Sequence, residues 1–152
     1  MSEWVETTGE HLLYLTDHLQ AQKIMGNESV EAVGSDPDFS PILSTHARTM
    51  LNDERNPILV IGVWPLWSGV GTVWMLVTLE ALQSHSIALI RGAHRLMGRI
   101  VQRDSLHRLQ AYVFPEHAAG KRFAEHYGFA HEGTMMGFTQ DRQDIQLYAR
   151  TF

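Results

Sequence analysis

Residues 72–100 read TVWMLVTLEALQSHSIALIRGAHRLMGRI, and the order of this stretch decides the fold. It opens on an apolar run rich in β-branched residues, TVWMLVT, which predicts a buried strand. From Ser86 onward, Leu89, Ile90, Ala93, Leu96, Met97, Ile100 and Val101 keep a helical period, which predicts a helix to about Arg103. Between the two lies a short polar joint, LEALQSHS. A joint of this kind ends on a helix N-terminus, where unpaired N–H groups and the positive end of the dipole attract anions. Glycines let a backbone come close to a phosphate, and this joint contains none. Ser84, His85 and Ser86 remain as groups able to hold an anion through hydroxyls and amides.

On the N-terminal side, NDERNP is a turn, PILVIGVWP a strand, and LWSGVG the expected hairpin loop leading into the strand at 72–78. Gly69-Val70-Gly71 belongs to that hairpin, since it precedes a strand and no helix follows it directly, as a dinucleotide loop requires. Further back, Thr7 and Thr8 cap a segment with leucines at 12, 15 and 19, predicting a helix over about 8–24. GNESVEAVGSDPDFSP reads as a loop, and Ser40-Pro41 as the start of a second helix running through Leu51. A short strand at Glu3–Glu6 is compatible with the remaining residues. On the C-terminal side, Asp104-Ser105 is a break, RLQAYVFP a strand and EHAAGKRFAEHY a helix stopped by Gly128. AHEGTMMGF and QDIQLYARTF then form a hairpin around TQDR. The pattern predicts one mixed α/β or α+β domain over residues 1–152.

Composition narrows the function. The chain has 152 residues, a net charge of −5 and no cysteine. An acidic chain gives nucleic acid no electrostatic reason to approach, and the missing thiols remove cysteine nucleophiles, thiolate zinc sites and disulfides. The nine histidines match no close zinc spacing, so no metal is expected. The start, MSEWVETTGEHLL, lacks a basic segment followed by an apolar core, and no apolar run is long enough to cross a bilayer. The expectation is a soluble chain without a secretory signal and without a membrane or nucleic-acid partner.

The arrangement of VWMLVT, SHSIALIRGAHRLMGRI and LQAYVFPEHAAGKRFAEHYGF resembles the GNAT N-acetyltransferase fold over about residues 42–152. More narrowly, it resembles the small GNAT-like proteins of tailed phages that include internal virion protein A. The resemblance implies a mostly antiparallel sheet with a splayed strand pair, flanked by about four helices. It also implies acetyl-CoA or CoA as ligand in the gap, with the backbone at Met75, Leu76 and Val77 against the acyl group. The pyrophosphate would fall at Ser84, His85 and Ser86, with Arg91 towards the 3′-phosphate.

Three family features are changed in this sequence. The joint lacks its glycines and arginine and carries Glu80; His117 stands at the asparagine position eleven residues before Gly128; Ala124 stands at the tyrosine position four residues before it. Tyr127 is either a core or capping aromatic at the helix end or a substitute acid, and His117, His85 and Glu116 are candidate proton acceptors. Arg91, Arg95 and Arg99 share a helix face, either for CoA phosphate or an acidic partner, or simply as a solvated surface. Trp64, Trp67 and Trp74 gather around the central hairpin, as core aromatics or, at Trp67, as an exposed protein anchor.

Two readings follow. One is a phage protein with eroded acyl-CoA machinery that acts through protein contacts, as a virion component, in assembly or on a host target, within a virion or an infected cell's cytoplasm. The other is an active acetyl-CoA-dependent N-acetyltransferase.

Overall fold

The computed structural model describes residues 2–22, 43 and 46–152. In chain order the elements are β1 (Glu3–Glu6), α1 (Gly9–Gln22), β2 (Arg48–Leu51), β3 (Pro57–Trp67), β4 (Val70–Val77), α2 (Leu79–Ser84), α3 (Ser86–Arg103), β5 (Arg108–Val113), α4 (Ala118–His126), β6 (Ala130–Met135) and β7 (Ile145–Thr151). The strands form one seven-stranded sheet in the order β1-β2-β3-β4-β5-β7-β6. All neighbours are antiparallel except β4 and β5, which run parallel and are joined across the sheet by α2 and α3.

Strand alternation sorts the core onto two faces. Val73, Val77, Leu109 and Val113 pack under Leu89, Ala93, Met97 and Ile100 of α3 and Ala124 of α4. The opposite residues, Val60, Leu76 and the partly buried Trp74, pack on Leu12 and Leu15 of α1. Burying α3 along one stripe leaves Arg91, Arg95 and Arg99 exposed on the other side of the helix.

The long helix, the break at Asp104-Ser105, the strand from Arg108 and the first strand at Glu3–Glu6 all stand as expected. Gly128 ends α4 with φ +89, and the Gly128 and Phe129 amides close back on the carbonyls of Glu125 and Ala124. Thr8 caps α1 by accepting from the His11 amide at 3.3 Å, while the His11 ring accepts from the Thr8 amide at 3.2 Å.

Three expectations are corrected. The helix expected from Ser40 through Leu51 gives way to strand β2 at Arg48–Leu51, which is paired with β1 on one side and β3 on the other; two flanking strands outweigh a local helical pattern. Most of the remainder of that expected helix, its capping Ser40-Pro41, the end of the first helix and the expected loop lie outside the described residues. The hairpin loop shrinks from LWSGVG to Ser68-Gly69, because β3 continues to Trp67 and Gly69 supplies the turn with φ +82. The joint LEALQSHS is a helix over its first six residues, Leu79–Ser84.

Candidate active site

The parallel ladder between β4 and β5 is short. It runs through Val70↔Arg108, Gly71↔Leu109 and Thr72↔Gln110 and then stops. Each strand stays paired to its other neighbour, β4 to β3 as far as Val77 and β5 to β7 as far as Val113. The two therefore diverge as edges of continuous sheet, and a cleft of about 260 Å³ opens between them. Val73, Met75, Val77, Ala111 and Val113 line it on the side of α3 and α4, together with Leu82, Leu89, Phe123, Ala124 and Phe129. Thr72, Trp74, Leu76 and Tyr112 line it on the side of α1. Among the described residues no Asp, Glu, Lys or Arg lines the cleft.

At the apex, Thr72 is buried and its Oγ1 has no hydrogen-bond partner among the described residues. Beside it Gln110 Nε2 donates to Tyr112 Oη at 3.0 Å, and Gln110 Oε1 accepts from Arg108 Nε at 3.1 Å. Arg108 in turn holds both carboxylate oxygens of Glu132, at 3.0 and 2.6 Å. This chain of bonds orients the Tyr112 ring from below, and Phe138 packs on it with centroids 5.7 Å apart.

The joint beyond β4 closes on itself. Thr78 Oγ1 donates to the Ile58 carbonyl at 2.9 Å and accepts from the Ala81 amide at 3.2 Å, so one buried hydroxyl ties β4 to β3 and caps α2. Leu79, Glu80, Ala81, Leu82 and Gln83 are all strong helix formers, which is the signal that foretells α2. Glu80 in its first turn accepts from Asn52 Nδ2 at 2.9 Å and lies 3.6 Å from His85 Nε2. The Ala81 and Leu82 amides of the joint are both taken up by Thr78, with the Glu80 carboxylate beside them, while the N-terminus of α3 at His85-Ser86 carries no side-chain cap.

His117 lines the cleft at the start of α4, caps that helix without a side-chain bond and sits over Gly120. Burial, with a smaller contribution from Arg122, holds its pKa below the ordinary imidazole range. Its ring is thus neutral at pH 7 and able to accept a proton. Ala124 also lines the cleft and has no proton to give.

Tyr127 lies outside the lining. Its buried ring packs edge-on against His94 and Phe129 at 4.8 and 5.3 Å, with the Arg150 guanidinium 5.1 Å from its centroid. Burial raises its pKa, which Arg150 partly offsets. Met75, Leu76, Val77 and His117 come together at the cleft; Ser84, Ser86, Arg91 and Glu116 are exposed and, like His85, outside the lining. The sequence reading missed Tyr112, Phe123 and Gly120, although period-two alternation from Gln110 already puts Tyr112 on the same face as Trp74.

The two parts of an acyl-CoA site therefore separate. The residues fit an acyl-pantetheine arm, since the diverging edges offer an apolar slot with an imidazole at its wall. For the pyrophosphate they offer less than an open glycine loop does, since Leu79–Ser84 is a helix bearing Glu80 and only the uncapped start of α3 remains.

No family model matches this sequence, and no curated protein matches it. Solved structures do. Spermidine N-acetyltransferase from Vibrio cholerae, in complex with CoA and spermine, superimposes with a TM-score of 0.75 at 15% identity, covering 99% of this chain and 95% of the other. The acetyl transferase from Salmonella typhimurium that modifies the N-terminal serine of ribosomal protein L7/L12 gives 0.73 at 18% identity, with 99% and 95% covered. A GNAT-family acetyltransferase from Bacillus anthracis gives 0.72 at 13% identity, with 99% and 94% covered. With its seven-stranded sheet, its one parallel pair and the cleft where that pair diverges, this chain has the GNAT acetyltransferase fold.

Proposed function

We propose that the chain is an N-acetyltransferase that takes its acetyl group from a thioester lying between β4 and β5, with His117 as the proton acceptor. The observation that carries this reading is the cleft itself: the ladder stops at Thr72↔Gln110 and the chain's own side chains leave about 260 Å³ open beyond it. A core with no ligand to admit gains stability by closing or filling such a space. The edge of β4 around Met75–Val77 lies where backbone groups can pair with the amides of a pantetheine arm and polarise the thioester carbonyl. Acetyl-CoA is the donor, gripped through pantetheine more than through phosphate.

The test is release of free thiol from acetyl-CoA in the presence of amines. Activity that falls about 100-fold or more in His117→Gln supports the reading, since general bases contribute on this order. Equal activity in that variant removes His117 from the chemistry.

A second reading is a phage protein that keeps the fold and acts through protein contacts, as a virion component, in assembly or on a host target. Two observations favour it: the closed joint with Glu80, and the exposed tip of the β3–β4 hairpin, where Trp67 is 69% accessible beside Trp64 and Leu66. Turnover that depends on a cleft residue would sink it.

A further inference from the structure

The acetyl-transfer reading leaves open which amine the cleft accepts, and the wall on the α1 side bears on that choice. We infer that the acceptor is an arylamine, neutral at neutral pH, seated between Trp74 and Tyr112; this rests on the transfer reading above.

Thr72 and Gln110 form the last rung of the parallel ladder. Trp74 and Tyr112 each stand two residues beyond it on the same face, so the two rings flank the opening where the strands part. Both are held. Trp74 packs on the cluster of Leu12, Leu15 and Leu76, and Tyr112 is fixed by Gln110 Nε2 and by the Phe138 ring. Tyr112 is nevertheless 43% exposed, so its ring is reachable from solvent. Two oriented aromatic walls select a flat body through stacking and apolar burial.

Charge selects the amine. An aliphatic polyamine enters as a cation, and desolvating it needs a carboxylate that the lining does not provide among the described residues. An arylamine shares its lone pair with the ring, stays uncharged at neutral pH and needs no counter-ion. It also suits the chemistry available. The nitrogen forms its bond to the acyl carbon as the carbon–sulfur bond breaks; His117 takes the one proton the nitrogen loses and returns a proton to the departing thiolate. No tyrosine acid is required, consistent with Ala124 at the cleft wall.

The experiment compares p-anisidine with spermidine as acceptors for the full chain under saturating acetyl-CoA, in wild type, Tyr112→Ala and Tyr112→Phe. The expected result is a kcat/KM at least about tenfold higher for p-anisidine, the discrimination an apolar pocket supplies. Tyr112→Ala should raise the KM for p-anisidine about tenfold, while Tyr112→Phe, which keeps the ring, should hold it within a few-fold. The rise in Tm caused by acetyl-CoA, read in each variant, separates any loss of donor binding from the loss of acceptor binding. Spermidine used as well as p-anisidine, or an unchanged KM in Tyr112→Ala, overturns this inference alone. If acetyl-CoA causes neither a Tm rise nor thiol release with any amine, the transfer reading has failed and this inference with it.

Discussion

Thr72 and His94 show how much a single buried polar atom decides. Thr72 Oγ1 and His94 Nε2 are both buried without a hydrogen-bond partner among the described residues, and a group left so costs about 1–3 kcal/mol. Thr72→Val keeps the branched shape and removes the orphan hydroxyl, so it should raise stability by about 1 kcal/mol, or roughly 2–4 °C in Tm. A fall of that size would show that the hydroxyl has work in the free protein. His94 is held below the ordinary imidazole pKa by burial first, then by His126 and Arg150. His117 and His11 are also lowered, both mainly by burial. The sign follows: the unfolded chain takes up protons as pH falls through about 6.5 while the folded chain resists, so stability is full above that value and declines below it. Denaturation followed from pH 7.5 to 5 should show this decline, and His94→Leu should flatten it. His117 and Ala124, singled out through the resemblance, both line the cleft, while His85, singled out with them, lies outside the lining. Tyr127 could be read as a core or capping aromatic, which its burial matches, but its particular partners His94, Phe129 and Arg150 could not, because those contacts join α3, α4 and β7 across long separations.

At the scale of elements, α2 is the part that fills the joint between β4 and α3. Thr78 as cap and a run of helix formers close the joint, and Glu80 adds a carboxylate. Binding should therefore depend little on the nucleotide, with acetyl-pantetheine within a few-fold of acetyl-CoA by calorimetry. Glu80→Gln should tighten acetyl-CoA a few-fold at low salt, the reach of one exposed charge, and leave acetyl-pantetheine unchanged. The joint's missing glycines were legible and its run of helix formers signalled α2, but the buried Thr78 bond to Ile58, which ties the start of that helix to β3, was not legible because it joins distant parts of the chain. In α4, Gly120 makes room for the His117 ring: an added Cβ would meet its Nδ1 at 2.5 Å. Gly120→Ala should thus maintain or raise helix stability while lowering kcat, because alanine favours the helix as it displaces the imidazole. Thiol release set against Tm checks the split.

Over the whole molecule, the legible part of the fold was the part written in long periodic runs. The strand at 72–78 and the helix from Ser86 to Arg103 were readable because their buried residues recur in step with the element, whereas the closing hairpin was readable from its turn residues, its strand β6 being largely exposed. Strand β2 was not, because Arg48–Leu51 becomes a strand only when β1 and β3 flank it. The cleft follows from the same sheet: β3 and β7 hold β4 and β5 apart beyond the last rung, so the opening is built into the pairing and does not rest on any one side chain.

The most direct measurement of the central claim is a thermal-shift titration of the purified chain with acetyl-CoA and acetyl-pantetheine. A donor at about 100 times its dissociation constant adds about 2.7 kcal/mol, and both donors should raise Tm by roughly 5–10 °C. No rise with either at millimolar concentration would contradict the thioester site and turn attention to the exposed tip at Trp67 as the functional surface.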